Sequence, residues 1–197
     1  MEKETIIYGG TFNPPTNCHR EVISNCLELF PDSEVWVMPS GRRTDKPEML
    51  DDDVRVTMLQ IMVSSCFTDK TNISVSRFEI DNLPLPTSTF LTFMTLKEVF
   101  PERNFSFVFG ADSLADMPNW GNGDFLRTNM NILAVPRGGI YIDPTPNIRL
   151  MPPIPLTEFS STDVRQSVAD GLGAEGFVCP AVAEYILANN LYLDAKV

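Results

Sequence analysis

A single histidine, His19, and four cysteines with no C-x-x-C pair leave little from which to build a metal cluster or a disulfide framework. Cys18, Cys26, Cys66 and Cys179 stand far apart and read as reduced thiols. Long apolar runs are missing too, and none approaches the length that crosses a bilayer. The start, Met1-Glu2-Lys3-Glu4, lacks the basic and apolar regions of a signal peptide, so a cytoplasmic protein without a membrane partner is expected. Basic charge is scarce. Fifteen lysines and arginines against 26 acids give a net charge of -11, which argues against nonspecific nucleic-acid binding, because a phosphate backbone requires basic surface. With 197 residues, 43% of them hydrophobic, and no low-complexity tract, the chain supports one core and one domain, 1-197. Any anionic substrate must therefore meet a local basic cluster.

What is present begins with Gly9-Gly10-Thr11-Phe12-Asn13-Pro14-Pro15-Thr16-Asn17-Cys18-His19. An apolar strand candidate, Thr5 to Tyr8, precedes it, and the helical pattern Val22, Ile23, Cys26, Leu27 follows. A glycine turn aimed at a helix start is a phosphate cradle. Glycine lets the backbone approach an anion, and the first helical turn supplies unpaired amides and a positive dipole end. His19 lies on that turn with Thr16 three residues earlier, so both side chains can face one bound group.

The rest of the chain alternates strands with helices. A helix is predicted over Asn17 to Leu29, a strand over Glu34 to Met38, and a helix through Met58, Leu59 and Met62 with Arg55 on its first turn. Ile73 to Ile80 alternates as a third strand, and a helix with Phe90, Leu91, Met94 and Val99 inward follows Thr87 or Ser88. Phe105 to Phe109 and Asn131 to Val135 read as further strands, Arg149 to Met151 as a last short one, and helices close the chain from about Thr162 and Pro180. This alternation implies right-handed crossovers and an α/β fold, a doubly wound, mainly parallel sheet with helices on both faces. Such sheets bind ligands beyond the carboxyl ends of their strands. Gly9 to His19, Arg42 to Lys46, Gly110 to Asp112 and Arg137 to Gly139 each follow a predicted strand, so all four open onto one edge. A crevice for a polyanionic ligand follows.

Neither a P-loop nor the dinucleotide glycine fingerprint is present, and no nucleophile elbow signals a hydrolase. Binding and polarising phosphates remains. Nucleotidyl transfer suits such a site, because the attacking phosphate is already an anion and catalysis rests on positioning and charge neutralisation.

Thr16-Asn17-Cys18-His19 resembles the H/T-x-G-H signature of a nucleotidyltransferase superfamily with a Rossmann-like fold, and Phe159 to Arg165 resembles its second signature, I-S-S-T-x-x-R. Within that group the chain is similar to bacterial-type nicotinate-nucleotide adenylyltransferases over nearly its whole length. Gly9 to Pro15, Phe109 to Leu114 with Trp120, Val135 to Gly138, and Val178 through Tyr192 carry the likeness. The resemblance implies transfer of AMP from ATP, carried with Mg2+, onto nicotinate mononucleotide in NAD biosynthesis. It implies catalytic roles for His19, Thr16 and Arg165. ATP would be bound by Gly9, Gly10, Thr11, Phe12, Thr16, His19, Ser160, Ser161, Thr162 and Arg165. Lys46, Thr87, Thr89, Asp112, Trp120 and Arg137 would bind the mononucleotide, and no protein-held metal is expected. Three features depart from the pattern: Cys18 stands where the signature has glycine and would crowd the nucleotide unless its thiol points away, Thr16 stands where this subfamily usually has histidine, and Asp45 precedes Lys46 where a histidine is usual; Thr16-Asn17 matches the related phosphopantetheine adenylyltransferases. A phosphopantetheine or other phosphate acceptor, or a non-catalytic nucleotide-binding role, stays open, as does a homo-oligomer.

Overall fold

A computed structural model describes residues 3–42, 46, 48–136, 139–143, 145–154 and 159–194. Six strands, β1 (Lys3–Gly10), β2 (Glu34–Pro39), β3 (Ile73–Val75), β4 (Arg103–Gly110), β5 (Asn131–Val135) and β6 (Ile148–Leu150), form one sheet in the order β3-β2-β1-β4-β5-β6. Every pairing is parallel. This is the Rossmann-like α/β architecture that the alternation implies.

Neighbouring strand residues face opposite sides of the sheet, and both sides are covered, so the central strands are nearly continuous apolar runs. Ile6, Val35, Val37, Val108 and Leu133 join one core, which α1 (Asn17–Leu29), α2 (Asp52–Cys66), α7 (Ser161–Ala169) and α8 (Pro180–Ala188) complete. Ile7, Met38, Phe107 and Ile132 join the other, under α3 (Phe78–Asn82), α4 (Thr89–Val99), α5 (Ala111–Asp116) and α6 (Gly123–Asn129). The chain order reverses across β1 and β4, which makes the crevice above their carboxyl ends the topological switch point.

Four expectations need correction. β3 stops at Val75, since its register with β2 covers only Ile73 to Val75, and the chain turns into α3 instead of continuing to Ile80. In α4, Thr92, Phe93 and Leu96 face inward, whereas Met94 and Val99 are exposed. Thr92 can be buried because its hydroxyl donates to Glu79 Oε1 (2.7 Å). A further short helix, α6, lies between Trp120 and β5, and β6 sits one residue earlier than expected.

Candidate active site

The cradle is built from the end of β1 and the start of α1. Phe12 takes a left-handed backbone conformation (φ 51°), a strain of about 1–3 kcal/mol for a residue other than glycine. Its buried ring packs edge-on against Tyr8 and His19, with centroids 5.5 and 5.0 Å away. Gly10 makes this turn feasible, because a Cβ there would lie 3.0 Å from the Phe12 ring. Phe12, expected among the nucleotide contacts, is thus a platform beneath His19.

On α1, the Thr16 backbone N–H donates to His19 Nδ1 (2.8 Å), and Thr16 Oγ1 lies 3.0 Å from the same nitrogen. Because Nδ1 accepts, the neutral imidazole carries its proton on Nε2, which makes that nitrogen a donor. His19 therefore caps its own helix start and offers a donor from the same ring. Asn17 is anchored from the far end of the chain: its N–H donates to Phe177 O (2.7 Å) and its Nδ2 to Gly176 O (2.9 Å).

The two signatures meet. Ser161 Oγ donates to Pro14 O (2.8 Å) and Arg165 Nη1 to Asn13 O (3.0 Å), across 147 and 152 residues of chain. Arg165 also donates to Thr162 Oγ1 (3.2 Å). Ser160 closes the start of α7 with Asp163: its amide and hydroxyl both donate to Asp163 Oδ2 (2.7 and 2.6 Å). Those bonds, the hydroxyl's first, hold the Asp163 carboxyl below the usual carboxylate range. The hydroxyls of Ser160 and Ser161 are thus spent within the protein, and the Asp163 N–H is taken by Ser160 Oγ (3.3 Å), which leaves the Ser161 and Thr162 amides at the start of α7 for an anion.

A cleft of about 430 Å3 lies between these parts, lined by Gly9, Thr11, Thr16, His19, Lys46 and Asp112 together with Ser160, Ser161, Thr162 and Arg165. Half-buried Cys18 is also in its wall, and the cleft stays open beside it. A second cleft, about 540 Å3, adjoins it and shares Gly9, Thr11, Lys46 and Asp112; Gly10, Thr89 and Trp120 line it too. A smaller hollow beyond Trp120 contains Thr87 and Thr89 at the start of α4. Lys46 Nζ donates to Thr11 Oγ1 (3.3 Å), which places its charge at the junction of the two clefts. Trp120 is half-buried, stands edge-on to Phe109 at 5.8 Å, and donates from Nε1 to Asp116 Oδ2 (2.8 Å). Asp112 is exposed at the end of β4, where a Cβ on Gly110 would come within 2.4 Å of its Oδ1. Arg137 lies outside the described residues.

Sequence reasoning missed Ser40 and Glu79, which line the second cleft. Glu79 Oε2 accepts from the Gly41 N–H (3.1 Å), fixing the loop after β2 to α3. Ser40 Oγ is buried and has no hydrogen-bond partner among the described residues. Neither stands in a motif. Among the described residues, no helix is long and apolar enough to cross a membrane.

Residues 7–167 match the Cytidylyltransferase-like family. A probable nicotinate-nucleotide adenylyltransferase of Flavobacterium johnsoniae is 31% identical over 94% of this chain and 97% of its own. The nicotinate-nucleotide adenylyltransferase of Bacillus subtilis is 29% identical over 96% and 98%. Among solved structures, Plasmodium falciparum nicotinic acid mononucleotide adenylyltransferase complexed with NaAD superposes with a TM-score of 0.80 at 25% identity, covering 96% of this chain and 97% of that one. Sheet order, joined signatures and relatives agree, and the chain belongs to the cytidylyltransferase-like family, among its nicotinate-nucleotide adenylyltransferases.

Proposed function

We propose that the chain transfers AMP from ATP to nicotinate mononucleotide, giving nicotinate adenine dinucleotide and pyrophosphate. The observation that carries this reading is the pair of adjoining clefts with a common wall at Gly9, Thr11, Lys46 and Asp112. Two substrates seated in them would bring their phosphates together at that wall. The Plasmodium falciparum relative, whose structure holds NaAD, supports nicotinate adenine dinucleotide as the product.

In this reading a phosphate oxygen of the mononucleotide attacks the α-phosphorus of ATP. The bond from that phosphorus to the bridging oxygen breaks, and the electron pair leaves on pyrophosphate. His19 Nε2–H hydrogen-bonds an α-phosphate oxygen as charge builds on it, while Thr16 fixes the tautomer. Arg165 and the start of α7 hold the β- and γ-phosphates, Thr162 orienting the guanidinium. Lys46 steadies the attacking phosphate, Asp112 accepts from a ribose hydroxyl, and Trp120 stacks on the electron-poor ring, with Thr87 and Thr89 beside its carboxylate. Hydroxyls, a lysine and an arginine dominate the phosphate side of the wall, which fits an ion that arrives on the nucleotide's own oxygens. Magnesium bound there supplies further charge neutralisation.

The test is a substrate panel with magnesium and ATP, reading pyrophosphate release. Nicotinate mononucleotide is expected to give the fastest release; turnover only with phosphopantetheine would overturn the assignment, and ATP binding without release from any acceptor would reduce it to a nucleotide-binding role. Within that panel, Trp120→Ala is expected to raise the KM for the mononucleotide about tenfold and leave that for ATP within about twofold, since stacking contributes about 1–3 kcal/mol per base. Equal effects on both substrates would mean that Trp120 only packs against Phe109.

A further inference from the structure

Arg55, on the first turn of α2, is a fully buried arginine that belongs to neither signature. A buried guanidinium has five N–H donors to satisfy, and leaving one unmade costs more than its bond contributes. Here the acceptors are loop carbonyls. Nε donates to Leu50 O (3.1 Å), Nη1 to Thr11 O (2.8 Å) and Nη2 to Ser40 O (2.8 Å), and Asp52 supplies the carboxylate.

Those carbonyls come from three places. Thr11 is the corner of the cradle after β1, Ser40 is the corner after β2, and Leu50 ends the loop that carries Lys46. Thr11 lines both clefts and Ser40 the second. The same corner is held from the other side, where Ser40 N–H donates to Gly10 O (2.8 Å) and Gly41 N–H to Glu79. A planar fork satisfies carbonyls in fixed directions, as the compact ammonium of lysine cannot. Arg55 itself lines neither cleft.

We infer that Arg55 is a positioning residue that sets the junction of the two substrate clefts by clamping the Thr11 and Ser40 corners to the start of α2. This rests on the proposed two-substrate transfer. Bringing reacting phosphates into line depends on the backbone around them, and a displacement of about 1 Å can cost about a hundredfold in rate. Lysine at this position keeps the positive charge beside Asp52 but is shorter, so its ammonium cannot span Leu50, Thr11 and Ser40 at once. Loosening the junction misaligns bound substrates more than it weakens their binding.

Arg55→Lys is therefore expected to fold and to lower kcat about 10- to 100-fold, with both KM values within about threefold. Hydrogen exchange read on the same protein should quicken at the Ser40 and Gly41 amides and stay unchanged through α1 and α4. Turnover within twofold of the parent, or a raised KM with unchanged kcat, would overturn the inference. So would an exchange increase spread evenly over the molecule, which marks a merely structural arginine. If the lysine variant does not fold, Arg55→Gln combined with Asp52→Asn removes the charge pair together, and the same kcat loss is expected. Failure of the parent chain to release pyrophosphate with any acceptor would reject the two-substrate reading, and the exchange pattern at Ser40 and Gly41 would still decide the role of Arg55.

Discussion

Replacing His19 by alanine is expected to lower kcat about 100- to 1,000-fold while the chain stays folded. The size follows from losing one preorganised donor to a developing negative charge, about 2.7–4 kcal/mol in a water-poor site. Geometry already defines that donor, because the Thr16 N–H occupies Nδ1 at 2.8 Å and leaves the proton on Nε2. The edge-on Phe12 ring, 5.0 Å away by centroid, restricts the imidazole further. Alanine also deletes the His19 half of the capping box with Thr16, one hydrogen bond worth about 0.5–1.5 kcal/mol of stability. A second variant separates the two losses. His19→Asn keeps a short side-chain acceptor for the Thr16 N–H but cannot reach as far as Nε2, so it should melt near the parent and still lose turnover. Steady-state pyrophosphate release alongside thermal denaturation checks both. If His19→Asn were as active as the parent, His19 would be a cap and nothing more.

Much of the fold is legible in local pattern because parallel strands buried on both faces are written as short apolar runs between turns. β4, with four consecutive buried residues, is the clearest case. The alternation of Ile73 to Ile80 misleads. Nothing local shows that only Ile73 to Val75 find a partner along β2, where Ser76 makes the last bond, its N–H donating to Val37 O (2.9 Å), before the chain turns into α3. α6 is seven residues long, too short for helical periodicity to emerge, and begins at Gly123, where a Cβ would collide with Met117 O. Thr92 sits buried on α4 because its hydroxyl finds two acceptors, Ser88 O one turn back (3.0 Å) and Glu79 Oε1 on α3 (2.7 Å), and the second is invisible in the helix's own pattern.

The same contrast runs through the site. His19, Thr16 and the Ser160 to Arg165 segment stand in contiguous signatures and were readable as such. Arg55 and Ser40 serve the site through backbone carbonyls and loop corners, which leave no mark on residue type. Tyr192 shows a third kind of link. Its buried hydroxyl donates to Asn13 Oδ1 (2.9 Å), with its ionisation pushed upward by burial, so the carboxyl-terminal pattern props the cradle from behind. No spacing rule could have joined residues 179 positions apart.

Arg165→Ala is expected to lower kcat/KM for ATP about 30- to 1,000-fold, the equivalent of about 2–4 kcal/mol. Its guanidinium is nearly buried, with the side chain 11% exposed, and among the described residues its hydrogen bonds go to two neutral oxygens, Asn13 O and Thr162 Oγ1. The carboxylate paired with it, Glu48, stands 3.8 Å away and is 43% exposed, too distant and too wet to neutralise the charge. A buried cation so weakly compensated is poised for an anion, and the start of α7 adds its amides on the same side. The polyphosphate of ATP completes the pair. Alanine removes the attraction and also frees the Asn13 carbonyl, so a purely structural loss must be distinguished. Arg165→Lys keeps the charge but not the fork, and should recover part of the ATP dependence while Arg165→Ala recovers none. The mononucleotide KM, measured at saturating ATP, should change by less than about threefold in both. Were the alanine variant to weaken the two substrates alike, Arg165 would be a strut between Asn13 and α7; were it to weaken ATP alone, the charge itself would be the contact.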